Sequence, residues 1–226
     1  MGHDDIFKKH REDRRRRKYE FKKPRANSYL IVTEGKKTEP LYFKGLEKYI
    51  KEKIGGNVDV VEMPVIDING EGGSTGKLIE AADRIVKEAK IHYQNVWLVF
   101  DKDDFADFDQ AIKAGKLKGY HIAWSNESFE YWLYLHFQYN EAALHRHDWC
   151  KKLDEIFKEK QLGDGKYCKN CGNIFEIMEE INGVETAIKN AERRMKNYNE
   201  KSIRPSEYNP GTTVYVLVKE LKKYLE

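Results

Sequence analysis

Apolar positions along the chain switch repeatedly between a strand-like run and a helical period. Ser28 to Thr33, Ser-Tyr-Leu-Ile-Val-Thr, is a β-rich run that stops at Glu34-Gly35. Leu41, Tyr42, Phe43, Leu46, Tyr49 and Ile50 then recur at helical spacing. A second β-rich run, Val58 to Ile68, ends in Asn69-Gly70-Glu71-Gly72-Gly73-Ser74-Thr75-Gly76. Beyond it Leu78, Ile79, Ala82, Ile85, Val86 and Ala89 mark one face of an amphipathic helix. Asn95 to Phe100 is apolar without interruption at its centre, which predicts a central parallel strand covered on both faces, and it ends abruptly at Asp101-Lys102-Asp103-Asp104. The pattern then predicts a helix from Phe108 to Leu117 and a fourth strand from Tyr120 to Trp124. Ser125-Asn126-Glu127-Ser128 opens an aromatic helix from Phe129 to Phe137.

Strands alternating with helices imply a parallel α/β sheet wrapped by helices, because parallel neighbours need crossover connections. After residue 140 the periodicity is mainly helical, over Trp149 to Phe157, Ile174 to Met195 and Thr212 to Leu225, with Thr212 a candidate N-cap for the last helix. The expected organisation is an arm over 1–26, an α/β domain over 27–140 and a helical extension over 141–226 packed on that domain.

Composition supports a folded core: 226 residues with 40% hydrophobic and 12% aromatic content, although 35% are charged. No run approaches the roughly 18 apolar residues needed to cross a bilayer, and the start has no apolar stretch suited to a signal peptide. A cytoplasmic protein with no membrane partner is expected, and three Cys in such a chain argue against a disulfide framework. The net charge of +3 conceals an asymmetry, because residues 1–26 hold eleven Lys/Arg, Arg14, Arg15, Arg16 and Arg17 among them, against five acids. Such an arm tracks phosphates by counterion release, or is a solvated leader that binds nothing.

In an open parallel sheet, ligands bind where polar groups converge beyond the C-terminal ends of central strands. Glu34 follows the first strand; Asp101 and Asp103 follow the third, two apart, so an extended backbone would aim both carboxylates to one side. Carboxylates around one crevice repel unless a cation sits between them, and hard oxygen ligands suit Mg²⁺ or Mn²⁺. Such an ion stabilises charge on phosphate oxygens and activates water. The alternative is ordinary loop composition, with Asp103-Asp104 capping a helix.

Four blocks, Thr33-Glu34-Gly35-Lys36-Lys37-Thr38-Glu39-Pro40-Leu41-Tyr42-Phe43, Val99-Phe100-Asp101-Lys102-Asp103-Asp104, Ser125 to Phe137 and Asn209-Pro210-Gly211-Thr212-Thr213-Val214, together resemble the RloB family. The resemblance spans about residues 28 to 220. It implies a Toprim-like fold and a place near restriction and phage-defence loci, with a defence partner such as an ATPase. It also implies that Glu34 works as acid/base or metal ligand and that Asp101 and Asp103 form the metal pair. Glu39 and Glu130 match the RloB blocks and, with Asp104, are expected in a supporting ring around the ion.

Other features compete. Gly70 to Lys77 fails as a phosphate-binding P-loop because Glu71 and Leu78 stand where glycine and Ser/Thr belong, yet backbone N–H groups and Lys77 could still cradle a phosphate. Cys168-Lys169-Asn170-Cys171, with Cys150 and His147 upstream, offers ligands for a structural Zn²⁺, against which stand buried or incidental thiols. His136 faces either the crevice or the core, and Trp124, Tyr131, Trp132 and Tyr134 suit core packing better than base stacking. The expected function is a Toprim-type, Mg²⁺- or Mn²⁺-dependent nuclease. Glu34, Asp101 and Asp103 would be catalytic, and Lys36, Lys37, Lys77 and Lys102 would balance phosphate charge on RNA or DNA. The alternative is a non-catalytic nucleic-acid- or nucleotide-binding sensor subunit of a defence complex.

Overall fold

A computed structural model describes residues 27–54, 65–71, 75–102, 107–196, 198 and 203–225. Strands β1 (Ser28–Thr33), β2 (Val65–Gly70), β3 (Asn95–Lys102) and β4 (His121–Asn126) pair in parallel in the order β2-β1-β3-β4. Helices α1 (Thr38–Ile54), α2 (Thr75–Glu88) and α3 (Phe108–Leu117) lie between successive strands, as parallel pairing requires. The chain leaves β1 for β2 on one side and comes back to β3 on the other. The strand order therefore reverses between β1 and β3, which is where open α/β sheets form a crevice.

Alternation of side chains along the strands divides the core into two layers. Tyr29, Ile31, Trp97 and Val99 face one cluster, while Leu30, Val32, Leu98 and Phe100 face the other. Leu78, Ile79, Ala82, Ala111 and Ile112 of α2 and α3 cover the second face. The first is covered by α1 and α4 (Phe129–Tyr134) together with helices from the C-terminal part: α5 (Arg146–Glu159), α6 (Ile174–Glu180), α7 (Gly183–Met195) and α8 (Val214–Lys222). Ile31, Phe43, Trp149, Leu153, Phe175 and Leu217 belong to one continuous cluster, each fully buried, so this core runs across residue 140 without a break. Trp124, Tyr131, Trp132 and Tyr134 are all buried in the core. Among the described residues no helix is long and apolar enough to cross a membrane.

The β-rich run Val58 to Ile68 is a strand where it is described, Val65–Gly70, and residues 55–64 lie outside the described residues. Two local expectations are revised. The periodic segment from Ile174 to Met195 is two helices, because Asn182 adopts a left-handed conformation (φ 53°). Gly183 beside it packs so closely that a Cβ there would lie 2.9 Å from the Met178 carbonyl oxygen. The aromatic helix ends at Tyr134 rather than Phe137, where the chain tightens and the His136 N–H donates to the Leu133 carbonyl at 3.2 Å. That turn tucks His136 into the core, 2% exposed. Its Nδ1 lies 3.0 Å from the Trp132 carbonyl, so that nitrogen donates, and Nε2 accepts from the Tyr42 hydroxyl at 3.0 Å. Burial pushes its pKa down to about 3, leaving a neutral, structural imidazole.

β4 extends to Asn126 because it pairs with β3 as far as Lys102, and the Asn209–Thr213 segment lies against its other edge there. The Asn126 N–H donates to the Gly211 carbonyl at 2.7 Å, the Thr213 N–H to the Trp124 carbonyl at 2.8 Å, and Ser125 and Thr212 form an antiparallel bridge. Thr212 is thus a sheet-edge residue, its hydroxyl 3.0 Å from that of Ser125, and Thr213 takes the N-cap position of α8. Two of the four sequence blocks, far apart in the chain, are the two halves of this joint.

Candidate active site

β1 and β3 deliver the first acidic residues to the crevice. Asp101 is not beyond β3 but its last residue but one, still paired in register with Ser125 of β4. Glu34 follows β1 directly, donates its N–H to the Val99 carbonyl of β3 at 2.9 Å, and sets Oε2 3.4 Å from the Asp101 amide nitrogen. The two strand ends on either side of the switch point are therefore tied together through Glu34.

Two helices contribute the rest. Glu39 stands in the first turn of α1 and Glu130 in the first turn of α4, with 8% and 2% exposure. These two lie with Asp101 around a cavity of about 250 Å³ whose other walls include Gly35, Thr38 and Phe129, with Lys36, Lys37 and Lys169 contributing positive charge. A Cβ on Gly35 would collide with the Glu39 carboxylate, so glycine there lets that carboxylate lie against the backbone that follows β1. The Phe129 N–H donates to Asp101 Oδ2 at 2.9 Å and fixes the carboxylate as α4 begins.

Electrostatics make the cluster costly. Burial, followed by the charges of Glu39 and Glu130, holds the Asp101 carboxyl well above the usual carboxylate range, against the Phe129 N–H and with a further push from Glu34. Burial likewise raises Glu39, its own backbone N–H opposing, with Glu130 adding to the rise and Lys169 offsetting it. Two like charges 4 Å apart repel by about 4 kcal/mol at an effective dielectric of 20. Three carboxylates in one small cavity cannot all ionise cheaply without a cation.

Lys169 is such a cation, and nothing in its sequence context marks it. Its Nζ lies 3.0 Å from Glu130 Oε1, which also accepts from the Tyr167 hydroxyl at 3.0 Å. The Lys169 carbonyl accepts from the Thr38 hydroxyl at 3.1 Å, anchoring the 168–171 turn to the start of α1. Burial opposes its charge, yet Glu130 holds the ammonium above the ordinary lysine range. The residues that sequence reasoning passed over, Tyr167 and Lys169, reach the site through the C-terminal part, where Thr38 at the start of α1 receives them. No spacing in the chain connects them to Asp101.

The remaining candidates distribute as follows. Lys36 and Lys37 are exposed at the cavity; Lys77 is exposed in the first turn of α2, Lys102 is half-buried at the end of β3, and neither is among the residues around the cavity. Asp103, Asp104 and Arg14, Arg15, Arg16 and Arg17 lie outside the described residues. Cys150 is half-buried beside Glu130, and burial first, then the Glu130 charge, pushes its thiol up to about 11. Cys168 is exposed, and the Cys171 thiol donates to Asn173 Oδ1 at 3.1 Å. His147 donates its backbone N–H to the side chain of His145 at the start of α5. These four residues are not gathered around one point: among the described residues no group of three or more His, Cys, Asp or Glu is placed to hold a metal ion.

For a hard divalent ion the chemistry of the donors fits, since Glu34, Glu39, Asp101 and Glu130 offer oxygens alone, and a lysine ammonium already stands against one of them.

Compared with known proteins, the chain matches the family model of RloB-like proteins over residues 29–221. The chain belongs to the RloB-like family. No curated protein and no solved structure matches it. The matched span takes in both strand ends of the crevice, the α4 glutamate and the 168–171 turn, so the RloB-like unit includes the helical part as well as the sheet.

Proposed function

We propose that this RloB-like chain is a Toprim-type, divalent-metal-dependent phosphodiesterase that cuts nucleic acid in anti-phage defence. The observation that carries the proposal is the convergence of half-buried Asp101 with buried Glu39 and Glu130 on one cavity, with lysines beside it. Such a site suits a ligand that is cationic on one side and anionic on the other, as a metal-bound phosphate is. Asp101, Glu39 and Glu130, together with Glu34 and Asp103, would hold Mg²⁺ or Mn²⁺, which when bound neutralises charge on a phosphate oxygen and lowers the pKa of water.

The chain's own groups supply the rest. Lys36 and Lys37 would meet the phosphate oxygens, Lys77 and Lys102, which do not line the cavity, would meet nucleic acid beyond it, and the basic residues of the arm, Arg14 to Arg17 among them, would follow the backbone of the strand. Glu34, at the switch point and hydrogen-bonded to the Asp101 amide, holds a proton for the leaving oxygen or takes one from water. The Phe129 N–H keeps Asp101 in place throughout. In this proposal the protein works in the cytoplasm beside a partner such as an ATPase.

The decisive test incubates purified protein with labelled tRNA, single-stranded RNA and duplex DNA, each with Mg²⁺, Mn²⁺ or EDTA, beside Asp101→Asn. Cleavage that requires the metal and drops at least about 100-fold in the folded variant is expected. Salt-sensitive binding without turnover would point instead to a sensor subunit. That outcome has one observation in its favour, the absence among the described residues of a ready three-ligand group.

A further inference from the structure

The cation standing in the acidic crevice is part of the chain, and it comes from the C-terminal half. The turn Cys168–Cys171 is closed by the Cys171 N–H donating to the Cys168 carbonyl at 3.2 Å, and Thr38 holds its Lys169 carbonyl at 3.1 Å. The backbone of Lys169 is thus fixed at the start of α1 while its side chain reaches Glu130. The two ends of that ion pair differ sharply: the Glu130 side chain is 3% exposed and that of Lys169 59%.

Glu130 is held from below as well. Tyr167 donates to the same oxygen as Lys169, Oε1, at 3.0 Å, and Cys150 lies alongside. A carboxylate so fixed cannot follow a departing partner, whereas a lysine on a four-carbon stem can swing into water at little cost. Water reaches the exposed ammonium end of the pair, so Lys169 can leave into solvent while buried Glu130 keeps its need for a cation. A dication approaching Glu39, Asp101 and Glu130 would gain attraction from three carboxylates and meet repulsion from Lys169, the ammonium in contact with one of them, with Lys36 and Lys37 also lining the cavity.

Building on the divalent-cation site proposed above, we propose that Lys169 is the resident counter-ion of the crevice and that it competes with the divalent cation for Glu130. In the metal-free protein the ammonium of Lys169 keeps the acidic cluster closed. With a divalent ion bound, Lys169 would turn away from Glu130 toward the exposed side of the cavity, which Lys36 and Lys37 also line. The C-terminal part therefore sets how much divalent cation the site needs before it fills.

The test is calorimetric titration of Mn²⁺ into the purified full chain, comparing wild type, Lys169→Gln and Lys169→Arg, with thermal unfolding as a check on each variant. Lys169→Gln is expected to bind Mn²⁺ roughly ten-fold more tightly than wild type, while Lys169→Arg, which keeps the charge, binds no more tightly than wild type. Equal or weaker binding by Lys169→Gln, with wild-type binding intact, overturns the competition and leaves the metal site standing. Tightening in Lys169→Arg as large as in Lys169→Gln also overturns it, since charge would then be irrelevant. Absence of Mn²⁺ binding in all three proteins overturns the metal site itself, and the competition with it.

Discussion

Asp101 combines a fully apolar approach with a charged end: β3 is buried from Val96 to Phe100, and the carboxyl that follows is surrounded by Glu39, Glu130 and Glu34. Its raised pKa carries a stability cost with a definite pH sign. Below the ordinary aspartate value of about 4, folded and unfolded chains both keep the proton and the residue contributes nothing. As pH rises past that value the unfolded chain ionises first, and stability falls until the folded carboxyl ionises too. Asp101→Asn keeps an oxygen to accept the Phe129 N–H and removes the charge. In EDTA near neutral pH we expect this variant to melt higher than wild type by roughly 2–4 °C, a gain that vanishes below about pH 4. Melting curves at the two pH values check it; an Asp101→Asn protein less stable than wild type at neutral pH would show that the carboxylate is not under strain. Glycine at 35 belongs to the same scale, because only a residue without a side chain leaves room for the Glu39 carboxylate.

Among the elements, the α6–α7 corner shows how a single residue overrides a periodic pattern. Apolar positions from Ile174 to Met195 suit one helix, but Asn182 turns left-handed and α7 sets off in a new direction, burying Val184, Ala187, Ile188 and Ala191. Asparagine tolerates this backbone better than most residues, glycine better still. Asn182→Ala should therefore lower stability by about 1 kcal/mol and Asn182→Gly should leave it unchanged or raise it slightly, as measured by denaturant midpoints. The joint between the end of β4 and the Asn209–Thr213 segment is a second case. Ser125 and Asn126 look like the opening of a helix in sequence, and pairing with β3 makes them strand, with Pro205 and Gly211, 79 and 85 residues on, bonded to Asn126 from the other side. Glu127, at φ 76°, then holds the corner by accepting from the Arg146 N–H and from Asn209.

At the scale of the whole molecule, the division into a sheet domain and a helical extension hides a shared interior. One cluster joins Tyr29, Ile31, Phe43 and Trp97 to Trp149, Phe157, Met178 and Leu217. A core of this kind melts as one unit. We expect a single cooperative unfolding transition for the full chain by circular dichroism and intrinsic fluorescence alike, and loss of soluble, cooperatively folding protein when the chain is cut at residue 140. Two separated transitions, or a stable 27–140 fragment, would contradict this. The site has the same composite origin: β1, β3 and the starts of α1 and α4 bring the carboxylates, and the 168–171 turn brings Lys169.

What the amino-acid sequence determined by itself follows from periodicity and from local polarity. The alternation of strand and helix, the central position of β3, the parallel sheet and the acids at its strand ends are all properties of neighbouring residues, and local pattern encodes them. The four blocks around Glu34, Asp101, Ser128 and Thr212 together also sufficed to suggest the RloB-like family. The tertiary structure alone decided which distant groups meet. The repulsion among Asp101, Glu39 and Glu130, the ammonium of Lys169 beside them, the core histidine bonded to Tyr42 and the bridge between Ser125 and Thr212 depend on chain segments separated by 29 to 130 residues. Charge and burial act through space, and a linear pattern records only what is near along the chain.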